Sequence, residues 1–435
     1  MLNRRVAIVG VLAVVLLATA CVPARAGSRC RSTDWGDDGT YVLKCERGRW
    51  VRKATKVQVA QLVIAILQAR TTTSTTGAAT TTTTTTTTTI PIVPQGYGVA
   101  AGYEHSCLLK AGVVTCVGRN QYGQLGNGNT TDSVSPFTPV STGLAGVKAV
   151  ITRSGGGGRY CAILANTTAK CWGDGTGGGI GNGANSNQPT PTVVSGLTGV
   201  IEIGASPNET CALTTGGVVS CWGNGPNTPT VVSGLTATHI SLSTRSQCAI
   251  AVGGQVKCWG YGDNGQLGNG AIAASLSPVD VTGISDAVEI GGGRDFNCAV
   301  RVNHTVWCWG QNADGQLGDG TTTESNIPVQ VLGITTASSV AAGFYNTCAR
   351  LLDGTVKCWG LGSVGQLGQG ANTSSLLPVT VSGLTNVVAI AGGEQHMCAF
   401  VGDLSVKCWG AGANGRLGNG VAGSSNIPVA FLGTP

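Results

Sequence analysis

The sequence predicts an all-β fold: a seven-bladed β-propeller of four-stranded antiparallel blades, preceded by a small cysteine-containing segment and a threonine-rich linker. Three observations carry this. Cysteine pairs recur seven times beyond residue 99, and each repeat holds four short apolar segments separated by turn residues. Glycine, at 69 of 435 residues, is too frequent for long helices, because each interior glycine costs a helix about 1 kcal/mol relative to alanine.

Residues 1–26 read as an export signal. Arg4 and Arg5 form a basic start, Val6 to Ala20 is an uncharged apolar run, and Ala24-Arg25-Ala26 fits small-x-small cleavage. The run is shorter than the roughly 20 residues that span a bilayer. Leu17-Ala18-Thr19-Ala20-Cys21 resembles a bacterial lipoprotein box, with Ala18 where the box prefers leucine. Either the signal ends at residue 20 and Cys21 is lipidated, or cleavage follows Ala26. Both routes leave 16 of the 17 cysteines. In an exported chain an even count reads as a disulfide framework. The expected location is therefore secreted or attached to the cell surface.

Residues 27–70 form a small segment in which Cys30 and Cys45 are expected to pair and Val57 to Leu67 to form a short helix. Residues 71–95 are nearly pure threonine at first and have too little apolar surface to order, so they read as a tether, bare or O-glycosylated. The propeller is assigned to 96–435.

Charge excludes one class of partner. The formal net charge is +6, but residues 1–70 hold 12 basic and four acidic residues, leaving 14 basic against 16 acidic beyond. A nucleic-acid footprint needs a basic face, which this near-neutral body lacks.

Within the repeats the cysteines come as Cys107 with Cys116, Cys161 with Cys171, Cys211 with Cys221, Cys248 with Cys258, Cys298 with Cys308, Cys348 with Cys358, and Cys398 with Cys408. The first members are spaced 54, 50, 37, 50, 50 and 50 apart. The fifth unit shows the pattern best, with segments at Ala287–Ile290, Cys298–Val300, Thr305–Cys308 and Pro328–Val331. Seven units of four strands are the arithmetic of a propeller. In six pairs the separation is ten, which places the two cysteines directly opposite across a three-residue hairpin loop. Gly217, Gly254 and Gly354 fall where such loops want positive φ. In the first pair the separation is nine, and Ala111-Gly112 supplies a two-residue loop. Facing residues of an antiparallel pair lie within disulfide range, so each blade is expected to staple its own hairpin.

These residues resemble the regulator-of-chromosome-condensation repeat family. The likeness rests on Gly102-Tyr-Glu-His105-Ser, on Cys-Trp-Gly at 171, 221, 258, 308, 358 and 408, on Gly265-Gln-Leu-Gly-Asn-Gly270, and on Pro-Val strands. It covers about Val99 to Gly433 and implies a seven-bladed propeller. Two departures stand out: Val117 replaces the tryptophan of the first unit, and the third unit lacks Gly-Gln-Leu-Gly, so that blade should be trimmed. The founding member of the family acts on a nuclear GTPase and engages chromatin, which implies guanine-nucleotide exchange as a third reading, disfavoured by export. A secreted bacterial relative inhibits β-lactamases with one face, which implies enzyme inhibition as the alternative function.

No catalytic constellation stands out, and neither metal nor cofactor is expected. His105, His239, His304 and His396 lie in different units without metal-ligand spacing, and no nucleophile elbow or phosphate loop occurs. Asp263-Asn264-Gly265 and Asp314-Gly315 read as turns rather than calcium loops. The tryptophans at 172, 222, 259, 309, 359 and 409 read as packing between blades, and the recurring Gly-Gln-Leu-Gly-Asn-Gly as a structural turn.

Binding residues should vary from blade to blade on a fixed frame, and the turn before each first cysteine does. Tyr103, His105, Arg159, Tyr160, Arg245, Arg294, Phe296, Phe344, Tyr345 and His396 are thus the candidate partner-binding residues, of types enriched at interface hot spots. The expected function is an exported, non-catalytic scaffold recognising a protein or surface-glycan partner, with membrane contact only through a lipid at Cys21. The last strand, around Pro428–Phe431, is expected to complete the first blade, with Pro91-Ile-Val93 as the competing segment for that place.

Overall fold

The computed structural model describes the strands at 35–37, 41–46 and 49–55, and, of the repeat region, residues 96–134, 140, 144, 146–151 and 158–432. The export segment with Cys21, the Cys30–Cys45 pairing, the 57–67 helix and the threonine tether lie outside the described residues. The chain divides into two compact units, Met1–Thr87 and Thr88–Pro435. The first contains a three-stranded antiparallel sheet of Trp35–Asp37, Tyr41–Glu46 and Arg49–Thr55.

The second unit is a seven-bladed propeller. The fifth blade is representative: Ala287–Gly292, Phe296–Arg301, Val306–Gly310 and Ser325–Gln330 pair in sequence order, all antiparallel. The hairpin between the second and third strands holds the disulfide. Cys298 directly faces Cys308. The same register sets Cys107 against Cys116, Cys161 against Cys171 and Cys211 against Cys221. It also sets Cys248 against Cys258, Cys348 against Cys358 and Cys398 against Cys408. All seven pairs are bonded, with Cα–Cα distances of 4.0 to 4.1 Å. Each bond therefore closes a hairpin within one blade, and none joins two blades.

Hairpin geometry is kept even where glycine is not. Gly217, Gly254 and Gly354 have positive φ in the last loop position, and Thr167, His304 and Leu404 adopt the same conformation in the other three-residue loops. Ala111 and Gly112 are both left-handed, as a two-residue hairpin loop requires.

Each blade has two apolar faces, so the core is not one mass but seven clusters among the described residues, one at each blade junction. Cys248, Cys258, Ile250, Leu267 and Val281 of the fourth blade, for example, pack against Ile290, Ala299 and Trp309 of the fifth. The disulfides are part of these clusters: Cys107 and Cys116 lie in the junction of the first and second blades, Cys161 and Cys171 in the next. Cys348 and Cys358 lie between the sixth and seventh blades, and Cys398 and Cys408 between the seventh and the first.

The Gly-Gln-Leu-Gly turn makes the junctions specific. Leu317 is fully buried, and the Gln316 carbonyl accepts the Trp359 indole N–H at 2.9 Å and the Thr347 hydroxyl at 3.0 Å from the next blade. Gly318 has φ +68°, and a Cβ there would lie 2.7 Å from the Trp359 indole nitrogen. The tryptophans and the repeated turn are thus a latch between blades.

Two irregularities follow from the sequence departures. The third blade, lacking that turn, runs straight into the fourth: Thr230–Leu242 is one 13-residue strand shared by both, and their strands form one seven-stranded sheet. The second concerns ring closure. The last strand, Ser425–Ala430, pairs with Val406–Gly410 of its own blade and does not complete the first, correcting the expectation above. The first blade supplies its own outer edge, with Ser133 bridged to Gly118 and the Val140 amide donating to the Val114 carbonyl. Closure is by packing: Ala101, Leu108 and Val117 meet Phe400, Leu417 and Phe431 in one buried cluster. A cavity of about 390 Å³ on the axis is lined by the first strands, including Val99, Ile290, Val340 and Ile390.

Candidate partner-binding face

The first strand of each blade ends at a turn before the first cysteine, and these turns gather at one end of the axis. Their backbones are joined from blade to blade. The Thr244 amide donates to the Gly293 carbonyl, Arg294 to Phe344, Phe344 to Glu394, and Glu394 to Gly102, at 2.9 to 3.2 Å. The Asn208 side-chain amide donates to the Thr244 carbonyl at 3.1 Å. The result is a collar, fixed by main-chain bonds, whose side chains project around the axis.

On this collar Tyr103 of the first blade meets Phe344 of the sixth edge-on at 5.5 Å, and Phe344 meets Tyr345 at 6.2 Å. Arg294 bonds the Tyr345 hydroxyl and lies over its ring, 5.6 Å from the centroid. Arg245 lies 4.8 Å from the centroid of Tyr261 and 3.3 Å from Asp263. Beside Tyr103, Glu104 bonds Arg119 and, at 2.9 Å, Arg416, whose other carboxylate partner is Glu394 at 3.9 Å.

The electrostatics follow from partial burial. Desolvation raises the Glu394 carboxyl against the pull of Arg416, and raises Asp295 against Arg245 and Arg294. Burial lowers Arg416, opposed by Glu104 and Glu394. Burial also raises the Tyr103 phenol, and Glu394 adds to that.

Tyr103, Arg245, Arg294 and Tyr345 are therefore accessible on the collar, but six of the ten candidates are not. His105, Arg159, Tyr160, Phe296 and His396 are fully buried and Phe344 is 7 % exposed, which corrects their assignment as surface contacts. The pleat explains four of them, since His105, Arg159, Phe296 and His396 are each the first residue of a second strand and point into the junction with the next blade. Tyr160, one residue on from Arg159, points into the junction with the preceding blade. His396 Nε2 sits 2.8 Å from the Ser106 hydroxyl of the neighbouring blade, and the Tyr160 hydroxyl donates to the Ala100 and His105 carbonyls at 3.2 Å. Arg159 reaches the Pro207 carbonyl at 3.3 Å, and Phe296 belongs to the core of the fifth and sixth blades. Their variation from blade to blade is variation in packing.

Arg119, Tyr261 and Arg416 join the collar without belonging to the candidate set. Arg416 has a visible signal: it stands in Gly415-Arg-Leu-Gly where Gln124, Gln266, Gln316 and Gln366 stand in other turns. Among the described residues no group of three or more His, Cys, Asp or Glu is placed to hold a metal ion.

Comparison with known proteins identifies the frame. Residues 253–300, 303–350 and 353–400 each match the regulator of chromosome condensation (RCC1) repeat, and a second description of that repeat matches 287–316 and 337–366. The chain carries RCC1 repeats from residue 253 to residue 400. The RCC1-repeat fold is shared with Prp20p of Saccharomyces cerevisiae, at 19 % identity and TM-score 0.66 over 78 % of this chain and 88 % of that one. That structure was reported with binding properties to Gsp1p and histones. Human WBSCR16 is similar at 20 % identity and TM-score 0.59, over 65 % of this chain and 82 % of that one. The human E3 ubiquitin-protein ligase HERC2 is 33 % identical over 104 residues, which is 23 % of this chain and 2 % of that protein.

Proposed function

We propose that this RCC1-repeat propeller is an exported, non-catalytic binding scaffold that recognises a protein partner through the axial collar. The observation that carries the reading is the meeting of Tyr103, Arg294, Phe344 and Tyr345 from three blades at one end of the axis. Tyrosine and arginine dominate interface hot spots because each combines large contact area with a polar tip. The main-chain bonds between turns hold these side chains without a partner, which lowers the entropy lost on binding.

A protein partner also agrees with the binding described for Prp20p and with Kap60 bound to yeast Prp20. Export is supported by the N-terminal pattern of Arg4, Arg5 and the apolar run, and by seven disulfides in one propeller, from Cys107–Cys116 to Cys398–Cys408, since such bonds persist in oxidising compartments.

The test is a pull-down with the intact, oxidised propeller, compared with the triple variant Tyr103→Ala, Arg294→Ala, Tyr345→Ala. A partner retained by the native protein and lost by the variant supports the collar. A soluble enzyme as that partner specifies the reading as inhibition, and an envelope or surface component specifies it as adhesion. Equal retention by the variant, or turnover of a substrate panel, contradicts the reading.

A further inference from the structure

The third blade differs from the others in what it fails to give its neighbour. In four regular junctions a turn of one blade offers a single main-chain carbonyl to the next blade's tryptophan: Gln124 to Trp172, Gln266 to Trp309, Gln316 to Trp359 and Gln366 to Trp409, at 2.9 to 3.0 Å. The second blade does the same through Gly179, which accepts Trp222 at 3.0 Å. In three of these junctions a second donor converges on the same oxygen, from the residue paired with the tryptophan across the hairpin. It is the Thr210 hydroxyl on Gly179, the Asn297 amide on Gln266 and the Thr347 hydroxyl on Gln316. An aliphatic side chain follows the carbonyl residue and is fully buried: Leu125, Ile180, Leu267, Leu317 and Leu367.

The fourth blade keeps both donors and receives no carbonyl. Trp259 pairs with Gln247 across its hairpin, as Trp309 pairs with Asn297. The third blade passes from Trp222-Gly223 to Pro229 without the turn, so neither the Trp259 indole nor the Gln247 amide finds an acceptor among the described residues. Gln247 is only 5 % exposed, and the Thr244 hydroxyl beside it is also buried and without a partner. The place of the turn is an open cleft of about 520 Å³, with Trp259, Gln247 and Thr244 inside and Tyr261, Leu276 and Pro278 on its walls. A buried hydroxyl left unpaired, as at Thr244, is unfavourable by about 1–3 kcal/mol, whereas the Trp259 and Gln247 donors open into the cleft.

We infer that the cleft between the third and fourth blades is a docking site for a glycine-rich turn of a partner protein, which replaces the missing latch. The occupant presents one main-chain carbonyl to Trp259 and Gln247 and, on the next residue, one leucine-sized side chain to the space beside the Cys211–Cys221 bond. The chemistry is that with which five other junctions are filled from within the chain. A second folded copy cannot supply it, because its own turn leucines are fully buried. The cleft borders the collar at Thr244, Arg245 and Tyr261 but is not lined by Tyr103, Arg294 or Tyr345, so it does not depend on what those three residues bind.

The probe is a cyclic peptide containing Gly-Gln-Leu-Gly-Asn-Gly, the sequence of residues 265–270, titrated into the intact oxidised protein with tryptophan fluorescence as the readout. Saturable binding is expected, weakened at least tenfold by Leu→Ala in the peptide and by Trp259→Phe with Gln247→Leu in the protein. A second variant guards against misfolding: the 311–323 segment inserted after Gly223 supplies the turn in cis, and the folded product should no longer bind the peptide. No binding by the native protein, or equal binding by the inserted variant, overturns the inference. So does occupation by glycans with none by the peptide.

Discussion

Phe431 stands in the cluster of Val117 and fills the junction between the last blade and the first, where the indole of a tryptophan would otherwise sit. At the other latches the second glycine of the turn packs against an indole, as Gly368 does against Trp409. Gly418 packs instead against the Phe431 ring, so closely that an added Cβ would overlap it. Residues 281, 331 and 381, the equivalents of Phe431, are valines. A large residue has moved from the first blade to the seventh, and the volume of the junction is kept while the ring closes.

Phe431→Val should therefore open a cavity and destabilise the propeller by about 2 kcal/mol, toward the lower end for large core truncations. Adding Val117→Trp should recover part of that loss. Denaturant midpoints of the two single variants and the double variant measure the coupling, and strict additivity would refute the exchange of volume.

Acid should destabilise both junctions of the first blade by way of their histidines, His396 against Ser106 of the first blade and His105 against Tyr160 of the second. Burial, with Arg416 adding to it, lowers His105 to about 3, and burial, Arg416 and His105 lower His396 well below the ordinary value. Unfolding restores proton affinity near pH 6.5, so between there and the folded values the unfolded chain binds more protons. The stability from keeping them neutral is complete above about pH 6.5 and falls as pH drops, by about 1.4 kcal/mol per pH unit for each histidine. Asp295 and Glu394, raised by burial, act with the opposite sign. The readout is thus a difference: His105→Asn with His396→Asn, asparagine being the residue at 346, should flatten the slope between pH 6.5 and 4 in chemical denaturation.

Reduction should begin at the third blade. Cys221 is half-buried and lines the cleft, whereas the other thirteen paired cysteines of the propeller are at most 1 % exposed. Under mild reductant, alkylation followed by peptide mapping should label Cys211 and Cys221 first. Losing that bond should cost about 2–3 kcal/mol on the chain-entropy scale. Simultaneous labelling of all seven pairs would contradict the prediction.

Leu404 occupies the left-handed place of its hairpin loop at φ +68° with its side chain partly in solvent. Leu404→Gly should stabilise the protein by about 0.5–1 kcal/mol, the left-handed penalty less the entropy of glycine. His304→Gly should gain less, because His304 Nδ1 is bonded to the Ala337 carbonyl at 2.9 Å. Thermal melts of the two variants check the order.

The frame was legible because its signals are local. Cysteines ten apart, such as Cys348 and Cys358, set a hairpin register, and Gly254 and Gly354 set its loop. What depends on side-chain direction was not. His105, Arg159, Phe296 and His396 vary as binding residues would, yet the pleat turns them into the junctions. Closure also escaped the strand pattern, since Ser425–Ala430 has the alternation to pair with either blade and its partner is decided by the fit of Phe431 to Val117. The missing turn of the third blade was visible in the sequence, but that it leaves two donors aimed at one empty place required the other junctions for comparison.

The most direct test of the proposed function is site-specific photo-cross-linking in the presence of the native partner mixture. The cross-linker is placed at Tyr345 on the collar and, separately, at Val302, which is 61 % exposed in a hairpin loop at the opposite end of the strands. A discrete protein adduct from Tyr345 with none from Val302 is the predicted result. Adducts from Val302 alone, or the same adducts from both positions, would contradict recognition through the collar.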